Sequence, residues 1–193
     1  WCKAALLSGP PGVGKTSTAR VILRSCGYDV VELNASDTRS EKALKAMASD
    51  MVSNTSIADF AAGGTASSGT AARKMALVMD EVDGMSAGDR GGVSALIGTI
   101  KASKMPIVCI CNDRQSQKIK SLVNHCLDLR FRRPAPLEVK NALKRVVSSE
   151  GYVVDDATLE KIAESCNADI RQMLNLLQIW KPAASADRLS QSD

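Results

Sequence analysis

The segment Gly9-Pro10-Pro11-Gly12-Val13-Gly14-Lys15-Thr16 places the strongest constraint on this chain. It fits the pattern Gly-x-x-x-x-Gly-Lys-Ser/Thr, and it stands between a short apolar run over residues 4–8 and a stretch of helical character over residues 15–26. Phosphate binding needs that context. Glycines let backbone N–H groups curl around a phosphate, and the N-terminus of a helix adds its positive dipole. Lys15 is then expected to reach the β- and γ-phosphates of ATP, and Thr16 to ligate Mg²⁺. Gly9, Pro10, Pro11, Gly12, Val13, Gly14 and Ser17 complete the expected nucleotide-binding stretch. A glycine turn that merely happens to precede a helix is the competing reading, and the full match in this context outweighs it.

Around this segment the hydrophobic pattern alternates. Short apolar runs at residues 4–8, 30–33, 75–80, 107–111 and 127–131 read as strands, most of them fully buried. Between the first four lie helical segments at residues 15–26, 41–52 and 91–101, the alternation of a parallel α/β sheet. From Pro134 onward the pattern is helical only. Val139, Ala142, Leu143, Val146 and Val147 recur with helical spacing up to a closing Gly151, and Ile170, Met173, Leu174 and Leu177 repeat that spacing. Leu159, Ile162 and Ala163 mark a shorter helix between them. The expected organisation is an α/β nucleotide-binding domain over residues 1–133, a helical lid over 134–182, and a linker or disordered tail over 183–193. Residues 53–72, rich in Ser, Thr, Ala and Gly, read as a mobile surface loop.

Composition sets outer bounds on these readings. At 193 residues with 45% hydrophobic and 24% charged side chains, the chain can bury a core and is not a disordered protein. Aromatic residues make up only 3%, so Ala, Val, Ile, Leu and Met must fill that core. A net charge of +4 is compatible with a polyanionic partner without requiring one. No apolar run approaches bilayer length, and the first residues lead into a strand rather than a signal peptide, so the expectation is a soluble, non-secreted protein with no membrane partner. The six cysteines have neither zinc-site spacing nor the density of a disulfide framework, which fits a reducing compartment. Cys109 and Cys111 read as small hydrophobes on one face of a buried strand.

Three further positions carry candidate chemistry. The apolar run Leu77-Val78-Met79 ends in Asp80-Glu81, where Asp80 is expected to hold Mg²⁺ through water and Glu81 to orient or deprotonate an attacking water. Asp83, close by, reads as a turn or helix-cap residue. Asn112 follows the fourth strand at the carboxyl edge where parallel sheets bind ligands, either to contact the γ-phosphate or the water, or to form an Asx turn. Asp169-Ile170-Arg171-Gln172 reads as an N-cap with a capping-box Gln, which puts Arg171 in the first helical turn. A cation there opposes the helix dipole at a cost of about 0.3–1 kcal/mol. An anionic ligand would remove that conflict, so Arg171 is expected to sense phosphate, the bland alternative being a solvated surface arginine.

These elements, in this order, resemble the AAA+ ATPases: a P-loop, an Asp-Glu box, a sensor Asn and a sensor Arg on an all-helical tail. Glu32-Leu33-Asn34-Ala35-Ser36-Asp37, the run Asp80-Glu81-Val82-Asp83-Gly84-Met85 with Asp89-Arg90-Gly91-Gly92 behind it, and Leu129-Arg130-Phe131-Arg132-Arg133-Pro134 resemble the large-subunit family of replication factor C clamp loaders. The resemblance implies a five-stranded parallel sheet of order 5-1-4-3-2 with a helical lid, and ATP held between the two. It also implies an ATPase in which Lys15, Glu81, Asn112 and Arg171 act on the phosphates. Such a subunit joins small clamp-loader subunits in a hetero-pentamer in the nucleus, where it opens a sliding clamp and loads it at primer-template DNA during replication and repair.

Small subunits of that family carry Ser-Arg-Cys before strand five, with an arginine that reaches a neighbour's ATP. Asn124-His125-Cys126 stands there in this chain, and His125 cannot supply a guanidinium. The chain is therefore expected to receive an arginine and not to donate one. The resemblance also points to Arg90 and Ser86 as DNA contacts, with a solvated charge the alternative for Arg90. Other readings are the large subunit of an alternative checkpoint or cohesion clamp loader, a P-loop small-molecule kinase, and a scaffold that binds ATP without turning it over. The kinase reading leaves Asn112 and Arg171 together unexplained.

Overall fold

A computed structural model of the chain describes residues 2–35, 74–85 and 90–190, with the backbone alone for 90, 91 and 182–190. The helix expected over residues 41–52, the loop expected over 53–72 and Ser86 lie outside the described residues. The elements in chain order are β1 (Ala4–Ser8), α1 (Lys15–Ser25), β2 (Tyr28–Asn34), β3 (Lys74–Asp80), a 3₁₀ turn (Val82–Gly84), α2 (Arg90–Ala102), β4 (Ile107–Cys111), α3 (Gln117–Val123), β5 (Leu127–Arg130), α4 (Pro136–Ser149), α5 (Asp156–Ser165) and α6 (Ile170–Ser190). Among the described residues no helix is long and apolar enough to cross a membrane.

The strands form one parallel sheet of order β2-β3-β4-β1-β5, the order implied by the resemblance read from the opposite edge. Parallel neighbours need crossovers, so both faces of such a sheet are covered and its central strands are apolar throughout. Alternation then divides each central strand between two cores. Ile107, Cys109 and Cys111 of β4 join Leu6, Leu77, Met79, Leu96, Ile119 and Leu122 on one face. Val108 and Ile110 join Leu7, Val78, Ala19 and Leu23 on the other. Cys109 and Cys111 thus sit in one core as expected. The exceptions to the expected burial of most strands lie at the edges: among the described residues β2 and β5 have a strand neighbour on one side only, and Leu127 and Leu129 stay exposed.

The residues group into two compact units, Trp1–Gly9 with Lys15–Phe131, and Pro10–Gly14 with Arg132–Asp193. The helices of the second unit have their own core of Val139, Leu143, Val147, Tyr152, Leu159, Ile162, Met173 and Leu177. Its apolar stripe is narrower than the sequence pattern, because Val146 and Leu174 lie on the exposed rim. Pro136 stands in the first turn of α4, where its missing N–H costs nothing, and the Asp155 carboxylate caps α5 by accepting from Thr158 N–H at 2.9 Å. Buried Tyr152 donates its hydroxyl to Leu177 O at 3.2 Å, which satisfies its polar end. Residues 183–190, expected as linker or disordered tail, instead continue α6. Ala183, Ala184, Ala186 and Leu189 are strong helix formers, and they carry the helix past Pro182.

Candidate functional site

Strand register brings the chemistry to one edge of the sheet. Ser8 pairs with Cys111, so the loop that starts at Gly9 and the residue Asn112 leave adjacent strands at the same level. On β3, Asp80 pairs with Asn34 at the end of β2. All four tips are carboxyl ends, the edge at which parallel α/β sheets bind ligands.

Gly9 follows β1 with φ +154°, and a Cβ there would collide with the carbonyl oxygen of Phe131. Phe131 N–H in turn donates to Ser8 O at 2.7 Å, so the backbone that excludes a side chain at Gly9 is itself held by the sheet. Gly12 has φ +72°, and the Asp169 carboxylate occupies the place of its missing side chain. Gly12 O accepts the N–H of Ile170 at 3.0 Å. Pro11 and Ser17 are exposed, Val13 is buried, and Gly14 is half-buried.

Lys15 is buried at 6% exposure, and its ammonium donates to Gly9 O and to Asn112 Oδ1, both at 2.8 Å. A buried cation requires such acceptors. Thr16 Oγ1 donates to Asp80 Oδ2 at 2.7 Å. A hydroxyl and a carboxylate oxygen side by side form a hard-oxygen donor pair that fits Mg²⁺, which takes one or two protein oxygens and completes its shell with phosphates and water. Among the described residues no group of three or more His, Cys, Asp or Glu gathers that could hold a metal ion without such help.

Glu81 adopts the left-handed conformation at φ 54°, ψ 40°, which turns the chain sharply between the end of β3 and the 3₁₀ turn. Its carboxylate accepts from Asn34 Nδ2 at 3.0 Å. Asn112 and Asp113 donate their backbone N–H groups to Asp83 Oδ2 at 3.0 and 2.9 Å. Asp83, read from sequence as a turn or cap residue, thus bridges to β4. Sequence reading gave Asn34 no chemical role and Asp83 only a local one, and neither the contact of Asn34 with Glu81 nor that of Asp83 with Asn112 and Asp113 was expected. Their only signal lies in strand register, which local sequence does not reveal.

The surroundings shift one nearby thiol. Burial, followed by the negative charge of Asp83, pushes Cys111 up to about 11.

Arg171 is the second residue of α6 and is exposed. Asp169 caps this helix, accepting from Gln172 N–H at 3.1 Å, but its own N–H goes to Cys166 O, so the expected capping box is formed on one side. The turn before it holds Asn167 and Ala168 at φ 51° and 56°. His125 is half-buried in the turn before β5, with its backbone N–H on Leu122 O at 2.9 Å. Arg90 is the first residue of α2.

Comparisons with known proteins agree with this geometry. Residues 5–135 match the family model "ATPase family associated with various cellular activities (AAA)", and residues 137–192 match "RFC1-like, AAA+ ATPase lid domain". The chain is 51% identical over 179 residues to replication factor C subunit 1 of Homo sapiens, and 46% identical over 190 residues to that of Drosophila melanogaster. These matches cover 92% and 97% of the chain but only 15% and 19% of those proteins. The fold is similar to that of the Thermotoga maritima RuvB Holliday junction branch migration motor, with TM-score 0.66 and 19% identity over 96% of this chain and 56% of that one. With its P-loop, acidic strand end and sheet order all inside the matched span, the chain belongs to the AAA family of ATPases and carries a lid of the RFC1-like type.

Proposed function

We propose that this chain is the ATP-binding and ATP-hydrolysing part of a clamp-loader large subunit of the replication factor C type. The observation that carries the reading is the pair of hydrogen bonds Lys15–Asn112 and Thr16–Asp80, which ties the phosphate loop to the tips of β4 and β3. Lys15 would neutralise the β- and γ-phosphates, and the P-loop N–H groups would cradle them. Thr16 and Asp80 would hold Mg²⁺, which when bound offsets charge on the phosphate oxygens. Glu81 would orient the attacking water and accept its proton, and Asn112 would fix the γ-phosphate or that water. Arg171 would add a second cation toward the phosphates.

An arginine from a neighbouring subunit completes the proposed site, since positioning and charge stabilisation dominate phosphoryl transfer. His125 leaves this chain without an arginine to return. The proposed setting is a nuclear hetero-pentamer with small subunits that opens a sliding clamp at primer-template DNA, with Arg90 and Ser86 as candidate phosphate contacts. Identity to replication factor C subunit 1 at 37–51% and the RFC1-like lid support this setting.

The test uses the full-length protein with small subunits, clamp and primer-template DNA. ATP hydrolysis stimulated by clamp and DNA is expected. Lys15→Ala should lose ATP binding, and Glu81→Gln should bind ATP without hydrolysing it. Phosphorylation of a nucleoside by the chain alone would favour the kinase reading, and ATP binding without turnover in every assembly would favour the scaffold.

A further inference from the structure

The carboxylate of Asp83 does more than end a turn. It lies in the 3₁₀ turn Val82–Gly84, directly after Asp80-Glu81, and a single oxygen, Oδ2, accepts the N–H groups of both Asn112 and Asp113. The pairing of β3 with β4 ends at Met79 and Cys109, and beyond that pair this carboxylate takes up the N–H groups at the tip of β4. The turn that carries it is anchored from below: Val82 and Met85 are buried in the core, and Lys118 donates its ammonium to Met85 O.

We propose that Asp83 is a positioning residue for ATP hydrolysis, coupling the turn that carries Glu81 to the strand tip that carries Asn112. The proposal rests on the nucleotide reading given above. Two backbone donors on one carboxylate oxygen fix where Asn112 begins, and the Asn112 side chain then meets Lys15 at 2.8 Å. Two hydrogen bonds that converge on one oxygen, at 3.0 and 2.9 Å, restrain both amides at the tip of β4 together. Without the carboxylate, the tip of β4 could move relative to Glu81 while the P-loop kept its own contacts. Asp83 therefore acts on turnover more than on ATP affinity, and it does so through its accepting oxygen. Its net charge is secondary, because the amide oxygen of an asparagine in the same place also accepts two N–H groups.

The test compares Asp83→Ala and Asp83→Asn in the full-length protein with its partner subunits, reading kcat and KM for MgATP, ATP affinity, and hydrogen exchange at the amides of Asn112 and Asp113. Asp83→Ala is expected to lower kcat by about tenfold to a hundredfold, the scale of an ångström-sized misplacement. ATP affinity should change little, and exchange at the two amides should accelerate. Asp83→Asn is expected to keep the amides protected and kcat close to wild type. Should Asp83→Ala not fold, the Asn variant still decides, since a large kcat loss with those amides still protected would overturn the proposal. So would a wild-type kcat in a folded Asp83→Ala. Lys15→Ala run in parallel reads the underlying site: unchanged ATP binding there overturns the nucleotide reading and with it this proposal, whereas a failure confined to the Asp83 variants leaves that reading standing.

Discussion

Lys15 Nζ donates to Asn112 Oδ1 across 2.8 Å, joining the residue after the phosphate-loop glycines to the tip of a strand 97 positions further along the chain. The accepting amide is neutral, so this contact does not itself cancel the ammonium charge. It is also specific to an amide. A carboxylate at position 112 would sit against the ammonium and repel a triphosphate.

Asn112→Asp is accordingly expected to weaken ATP binding more than Asn112→Ala does. Cancelling the lysine charge should cost about tenfold or more in Kd, equivalent to about 1.4 kcal/mol. Equilibrium titration of the two variants with ATP checks this. Tighter binding by Asn112→Asp than by Asn112→Ala would show that the ammonium does not face the phosphates.

Two glycine-to-alanine changes should move stability in opposite directions. At Gly9, φ is +154° and a Cβ would meet the Phe131 carbonyl, part of a backbone held to Ser8 O. Forcing a side chain into such a position costs about 1–3 kcal/mol, and more where backbone blocks it. At Gly98, in the middle of α2, a Cβ meets nothing within 4 Å. Alanine there should stabilise by about 0.5–1 kcal/mol, because glycine in a helix loses more conformational freedom on folding. Thermal unfolding of the two variants reads both signs, and destabilisation by Gly98→Ala would contradict the packing described for α2.

Thiol reactivity should follow burial. Cys2 and Cys26 are exposed, whereas Cys109, Cys111, Cys126 and Cys166 are buried. An alkylating reagent at neutral pH is expected to label the first two rapidly in the native chain and the other four only in denaturant, counted by mass spectrometry. Cys111 adds a pH dependence. Its thiol titrates at about 11 when folded against an ordinary value of 9.0, so the folded state holds that proton more tightly. The corresponding stability is full below about pH 9 and is lost as pH rises toward about 11. Cys111→Ala should flatten the unfolding midpoint over that window, and an unchanged slope would remove Cys111 as its source.

Legibility varied with the range of the interaction. β1 and β4 were read to the residue, because an apolar run bounded by glycine or polar residues is a local signal. Helix α3, seven residues with Lys118 and Lys120 among its apolar positions, escaped notice because so short a segment shows too little periodicity. Most strands were expected to be fully buried, and which ones are the exceptions, β2 and β5, depends on the neighbours each has in the sheet.

In this protein the amino-acid order alone determined the phosphate loop, the alternation of strand and helix, the acids at the end of β3 and the separate helical unit, because each depends on spacing within a few turns of chain. Folding in three dimensions determined that Asn34 reaches Glu81, that Asp83 takes the N–H groups of Asn112 and Asp113, and that Gly9 has no room for a side chain while Gly98 has. Those contacts join residues about 30 to 120 positions apart, and only the register of parallel strands, set by the whole buried core, brings such partners together.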